Sequence, residues 1–377
     1  MRKLIIDGTT ISSKMDGLSQ YILNIVVNLD SKFLKNFEAR ILLNKDCCPS
    51  FYLQQFYSKG ITVEFVNIHP IGPLRELDFL LYVLKNKHLK SLFYSPSAQY
   101  PLCLKGGVYT IHDLIYEQYP EQLGRFKWLK KQFLHFITKN GLQRASQVIA
   151  VSEYTKSEIL RWHPNIKNLS DKIKVIHEGY EHLISIAENN KPKISFSNYL
   201  LYVGSSRGHK NMSGLLSAIL SIKNTLPSSW GIVLVGNLKW MTKEQINLIN
   251  QINSERTLVH TTGWLSNADM SGFFKYASAF VFPSFSEGFG IPVLESFYYK
   301  IPVICSNQSA LPEVAGDAAL YFNPNDSKEI GDKILFFIEN QEILSKELTD
   351  KGTNRLKLFG WAKAAKELAK HINEHKK

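Results

Sequence analysis

The stretch Phe280-Val281-Phe282-Pro283-Ser284-Phe285-Ser286-Glu287-Gly288-Phe289-Gly290-Ile291-Pro292-Val293-Leu294-Glu295-Ser296-Phe297, followed by Lys300-Ile301-Pro302-Val303-Ile304, decides the fold. Ala279 to Phe282 is a short apolar run suited to a buried strand, and Pro283 to Gly290 holds the turn residues that end it. Pro292 suits the first helical position, because its φ fits there and its missing N–H would have had no partner. Pro302 closes the unit and Val303-Ile304 reads as the next strand, so the whole is a strand-loop-helix-strand, or βαβ, unit. In open parallel sheets ligands sit where strands end and helices begin, and a helix N-terminus offers N–H groups and partial positive charge to phosphate. Glu287 and Glu295, eight positions apart, are expected on that loop and in the first helical turn. Two carboxylates there can bind sugar hydroxyls. Alternatively, Glu295 only complements the helix dipole and Glu287 is a solvated loop residue.

The string as a whole resembles the Glu-x7-Glu signature of glycosyltransferase family 4, retaining enzymes built from two Rossmann-like domains. The resemblance implies that Glu287 contacts the donor sugar and Glu295 the nucleotide ribose. It extends donor binding to Gly288, Phe289, Gly290, Val293 and Leu294. The expected fold class is α/β of the GT-B type, two Rossmann-like domains with parallel sheets facing across a cleft.

The rest of the chain fits that expectation. Its 377 residues suit two or three domains, and 44% hydrophobic with 21% charged residues is an ordinary globular composition. The apolar run after Met1 is too short for a signal peptide, and no stretch approaches ~18 uncharged apolar residues. A cytoplasmic protein is expected, with peripheral contact at the inner face of the membrane left open. Cys47, Cys48, Cys103 and Cys305 have no metal spacing and read as reduced thiols. The net charge of +12 implies an anionic partner, whether nucleotide phosphate, lipid headgroup or nucleic acid. No nucleic-acid motif accompanies it, and the basic residues are dispersed.

Lys3 to Asp7 reads as the first strand, and a loop through Gly17 leads into a helix carrying Tyr21, Ile22, Ile25 and Val26. The resemblance brings backbone near Gly17 to the donor's phosphates and sugar. Gln20 stands where the family usually has Arg. Tyr109 to Leu114 places His112 and Asp113 directly after a strand. A His-Asp pair there can be structural; the resemblance puts His112 beside the transferred sugar, with Asp113 a weaker candidate. Glu178 replaces the family's usual Asn before Gly179. Phe126, Leu129, Phe133, Phe136 and Ile137 fall at helical spacing within Arg125 to Arg144, amid Arg125, Lys127, Lys130, Lys131 and Lys139. Such a helix packs on the sheet with a solvated basic face or lies on a membrane.

The polar run Glu188 to Lys193 suggests a linker, dividing an acceptor-binding domain 1–188 from a nucleotide-sugar-binding domain 189–359, with helix 360–377 packing back on the first. After the strand Tyr199 to Val203, the loop Ser205 to Asn211 leads into another helix. The family's Gly…Arg-Lys-Asn pattern assigns Lys210 to the donor diphosphate. His209 occupies the Arg position, so Arg207, always charged and bidentate, is the stronger replacement. Ser309 to Ala319 reads as packing and turn chemistry.

The resemblance implies retaining transfer of a sugar, with GDP-mannose the leading donor and UDP-sugars the alternative, to a glycan or lipid-linked acceptor in cell-surface polysaccharide assembly. A non-catalytic nucleotide-sugar-binding protein is the rival of another class. No Asp-x-Asp motif or His/Cys cluster with zinc spacing is present, so no metal or other cofactor is expected beyond the donor itself.

Overall fold

The computed structural model describes residues 2–13, 16–45, 47–86, 91–97, 99–181, 191–236, 239 and 241–374. The chain forms two compact units, Met1–Gly179 with Gly360–Lys377, and Tyr180–Phe359. Residues 188–190 of the suggested linker lie outside the described residues.

In the first unit, β1 (Arg2–Asp7), β2 (Phe37–Asn44), β3 (Thr62–Val66), β4 (Leu92–Ser95), β5 (Val108–Ile111), β6 (Gln147–Ala150) and β7 (Ile173–Val175) form one sheet in the order 3-2-1-4-5-6-7. Every pairing in it is parallel. Central strands of such a sheet are covered on both faces, which is why Leu4, Ile5 and Ile6 form an unbroken buried apolar run instead of alternating. The strand order reverses between β1 and β4. Asp7, at the end of β1, is fully buried there with Arg75, which comes from the helix Pro73–Lys85 and also donates to Thr9 Oγ1 at 2.6 Å. Removing either charge leaves the other bare, a loss of about 3–5 kcal/mol. Asp7 thus secures the switch point and is not exposed to a ligand.

In the second unit, β8 (Asn198–Val203), β9 (Trp230–Val235), β10 (Val259–Gly263), β11 (Ala279–Phe282), β12 (Val303–Ser306) and β13 (Ala319–Phe322) form a second all-parallel sheet, in the order 10-9-8-11-12-13. Its reversal falls between β8 and β11. Gly236, just past β9, has φ 137°, and a Cβ there would meet the Gly204 carbonyl at 2.0 Å, so the backbones after β8 and β9 close up only with glycine.

The C-terminal helix Trp361–Glu374 belongs to the first unit, with Trp361, Ala365, Leu368, Ala369 and Ile372 all buried on one face. The Trp361 ring meets Tyr21 edge-on at 5.7 Å. The basic helix runs from Lys127 to Arg144 and packs differently from the sequence expectation. Its buried stripe is Ile137, Thr138, Gly141 and Leu142, whereas Phe126, Leu129 and Phe136 are exposed and Phe133 is half-buried. Close approach decides this: a Cβ at Gly141 would come within 2.8 Å of Tyr100 and 2.9 Å of Tyr109, so the small residue faces the sheet and the phenylalanines do not. Among the described residues no helix is long and apolar enough to cross a membrane.

Candidate functional site

The loops after β8 and β11 lie on either side of the second sheet's switch point, where a parallel sheet leaves room for a ligand. Lys210 from one meets Glu287 from the other. Its Nζ donates to both carboxylate oxygens, at 2.7 and 2.8 Å, and stands 5.4 Å over the Phe282 ring. Three donors on the ammonium and about four lone-pair sites on the carboxylate leave capacity on both sides of this pair. One ammonium proton can still reach a phosphate, and Glu287 can still accept from sugar hydroxyls.

The pair is held from three directions. Asn211 sits at φ 51°, caps the helix Met212–Ile222 by accepting from Gly214 N, and donates to the carbonyls of Pro283 and Pro324 at 3.1 and 2.7 Å. Phe285 N–H donates to the His209 carbonyl at 2.8 Å, tying the two loops together. Glu287 N–H donates to Ser309 Oγ at 3.1 Å. Two serine hydroxyls at the same strand ends, Ser206 and Ser284, are buried with no hydrogen-bond partner among the described residues.

Arg207 is exposed on the β8 loop, and its carbonyl accepts from Lys210 N–H. His209 is buried, and burial, reinforced by the charges of Lys210 and Arg207, pushes its imidazole down to about 3. It is therefore uncharged at neutral pH, leaving Lys210 and Arg207 as the cations of this loop.

The helix after β11 is Ile291–Tyr298, with Gly290 as its N-cap at φ 112°, so Pro292 is its second residue rather than its first. A Cβ on Gly290 would meet Leu311 at 2.9 Å, so both backbone and packing require glycine. Glu295 is the fifth residue, beyond the first turn, where the dipole acts most weakly. Glu295 is half-buried, as is Gly288. Phe289 is buried and meets Phe359 edge-on at 5.7 Å. Val293 and Leu294 are fully buried, and Val293 N–H donates to the Gly290 carbonyl.

In the first unit, Asp16 caps the helix Gly17–Val27 by accepting from Ser19 N–H. Gly17 has no positive φ, and a Cβ there would meet nothing within 4 Å, so the fold does not itself demand glycine. Gln20 is buried and accepts from Asn24, a packing role that cannot restore the charge of an Arg. His112 follows β5. One ring nitrogen, Nε2, faces the Pro96 carbonyl at 3.0 Å, and Nδ1 faces Glu178 at 3.2 Å. Burial pushes this imidazole down, but the Glu178 hydrogen bond and charge, the Pro96 carbonyl and Asp113 outweigh it, so its pKa lies above the ordinary value. With one nitrogen facing each partner, a sugar contact through either nitrogen must displace one of them. Tyr21 presses its ring edge-on to His112 at 4.4 Å, and Thr155 donates to the His112 carbonyl. Asp113 is exposed and accepts from Ile115 N–H, a local turn.

Residues 184–355 match the family model described as glycosyl transferases group 1, and residues 88–182 match the model described as glycosyltransferase family 4. These matches identify the chain as a glycosyltransferase. This glycosyltransferase is 28% identical over 278 residues to the O-antigen chain mannosyltransferase B of Escherichia coli, covering 72% of this chain and 71% of that protein. It is 29% identical over 339 residues to the O-antigen chain mannosyltransferase RfbU of Salmonella typhimurium, covering 86% and 88%. Among solved structures, WaaG, a glycosyltransferase involved in lipopolysaccharide biosynthesis, has a TM-score of 0.70 at 14% identity over 98% of this chain and 99% of that one. Anabaena HepE in complex with UDP and glucose has a TM-score of 0.72 at 17% identity, covering 99% and 100%. At such identities the structures attest the GT-B fold alone.

Reading the glycosyltransferase from sequence missed Asn211 as a clamp, Ser309 as a partner of Glu287, and Arg75 as a partner of Asp7. Only Asn211 carried a local signal, an Asn one residue before a helix. Glu178, read as a departure from the family, turns out to be the acid that raises the pKa of His112.

Proposed function

We propose that this glycosyltransferase moves mannose from GDP-mannose to a glycan or lipid-linked acceptor in cell-surface polysaccharide assembly, with retention at the anomeric carbon. The observation that carries this reading is the Lys210–Glu287 pair at the switch point of the second sheet, with spare hydrogen-bonding capacity on both partners. Mannose is supported by the names of the two bacterial relatives above, both mannosyltransferases, and GDP by the resemblance of the motifs. The departing diphosphate needs fixed positive charge and N–H donors, which Lys210, Arg207 and the helix start at Gly290 supply without a metal. Glu287 takes sugar hydroxyls and Glu295 the ribose. Within the first unit, His112 serves transfer and the acceptor binds. Exposed Phe126, Trp128 and Leu129 beside Arg125, Lys127 and Lys130 support peripheral contact with an anionic membrane surface on the cytoplasmic side.

Thermal stability of the full chain, measured with GDP-mannose and with UDP-, ADP- and dTDP-sugars, tests the donor, because a ligand of the folded state raises apparent stability by RT ln(1 + [L]/Kd). GDP-mannose should give the largest rise, and a stereochemical assay of the product should show the α-linked sugar. A rise with UDP-sugars and none with GDP-mannose would transfer the reading to the alternative donor.

A further inference from the structure

The sequence shows no metal spacing, yet the first unit brings Glu117, His135 and His163 together, 18 and 28 residues apart along the chain. One ligand atom from each lies within 4.8 Å of the other two. They come from three elements: the short helix Ile115–Gln118, the basic helix Lys127–Arg144, and the residue that ends the helix Glu153–Trp162. His135 Nδ1 stands 2.5 Å from Glu117 Oε1, and the two imidazole rings lie 4.7 Å apart, tilted by 32°.

We propose that Glu117, His135 and His163 form a binding site for a divalent transition-metal ion, with Zn2+ the fitting choice. Two geometric observations point to a ligand: three potential ligand atoms converge within 4.8 Å of one another, and His163, only 4% exposed, has its Nε2 buried with no hydrogen-bond partner among the described residues. Two imidazole nitrogens and one carboxylate suit zinc better than magnesium or calcium, which prefer oxygen ligands. Three protein ligands also leave a fourth position for water.

The cluster needs little rearrangement. Ligand atoms about 2.1 Å from a tetrahedral ion lie about 3.4 Å apart, so the widest separation closes by at most ~1.4 Å and the Glu117–His135 hydrogen bond opens. Lys131, whose Nζ lies 3.3 Å from Glu117 Oε2, neutralises the carboxylate when no ion is bound. On metal binding it must turn away, and it keeps a partner in doing so, because Nζ also donates to the Glu117 backbone carbonyl at 2.9 Å. Zinc here would pin the segment that directly follows His112 and Asp113 to two longer helices, acting as a staple within the first unit and taking no part in sugar transfer.

The test uses the full chain, stripped with chelator and titrated with zinc chloride. Wild type should retain one Zn2+ per chain after desalting and melt at a higher temperature with it. His163→Ala and Glu117→Gln should each weaken binding by more than the ~10–100-fold that loss of a supporting partner costs. A Cys47→Ser/Cys48→Ser double variant should bind as wild type does, which separates this site from chance capture by the neighbouring thiols. Should either ligand variant fail to fold, wild type loaded with Co2+ decides. The expected spectrum has visible d–d bands without a thiolate charge-transfer band, and the ring-proton NMR signals of two histidines should shift. No retained zinc, unchanged binding by a folded His163→Ala protein, or a thiolate band would overturn the proposal and leave Glu117, His135 and Lys131 as a hydrogen-bonded cluster around one buried carboxylate.

Discussion

At the residue scale, Lys210 and His112 are both held by a carboxylate, and the two pairs make different predictions. Lys210 divides its donors between Glu287 and solvent-facing space. Because charge grows on the leaving diphosphate in the transition state, Lys210→Ala should lower kcat more than it weakens donor affinity. Steady-state rates together with calorimetric donor binding check this, and a loss confined to binding would reduce Lys210 to an anchor. His112 owes its raised pKa to Glu178, so its ion pair stabilises the fold below the unfolded-state value of about 6.5 and is lost as pH rises through the folded value. Glu178→Gln should therefore destabilise the first unit more at pH 5.5 than at pH 8.5, by about 1.5–3 kcal/mol at the acid end. An NMR titration of His112 should show its pKa falling in that variant. Equal destabilisation at the two pH values would mean that Glu178 acts by packing alone.

At the element scale, the basic helix was legible as a helix, but its orientation was not. Helical spacing offered a stripe of four phenylalanine and leucine side chains, yet the buried face is set by Gly141 and Thr138, where the backbone comes closest to Tyr100 and Tyr109. Periodicity reports which residues share a face and says nothing of which face a neighbour can approach. The consequence is an exposed group, Phe126, Trp128 and Leu129, among Arg125, Lys127 and Lys130. Wild type should sediment with anionic vesicles at low ionic strength and release as salt rises, since exposed charges are screened over ~8 Å at physiological ionic strength. Trp128→Ser with Leu129→Ser should reduce that binding at every salt concentration. If wild type ignores such vesicles at low salt, the helix face is simply solvated.

At the scale of the whole molecule, metal dependence separates two features of the chain. We expect transfer from the native donor to survive exhaustive EDTA dialysis, because Lys210, Arg207 and the helix N-terminus at Gly290 supply the charge that a bridging cation would. Initial rates before and after dialysis measure it. Loss of most activity, restored by magnesium or manganese in wild type and in His163→Ala alike, would sink the metal-free reading. A zinc-dependent change in melting temperature that disappears in His163→Ala belongs instead to the first unit's cluster.

The sequence by itself determined the order of strands, loops and helices, both parallel sheets, the resemblance to glycosyltransferases, and the segments that carry Glu287, Glu295, Lys210 and His112. Each of these rests on patterns a few residues long, such as an apolar run, a proline near a helix start, or a glycine at a strand end, and local patterns survive in a one-dimensional reading. Helix starts shifted by a residue or two, which moved Glu295 out of the first turn. Only the tertiary structure decided which loops meet. Lys210 and Glu287 are 77 residues apart, Arg75 and Asp7 are 68 apart, and His112 and Glu178 are 66 apart. Those distances are closed by strand order, the first two at the reversals between β8 and β11 and between β1 and β4 and the third across β5, β6 and β7, and no window of sequence encodes them. The same holds for Glu117, His135 and His163, whose spacing signals nothing until three helices place them side by side.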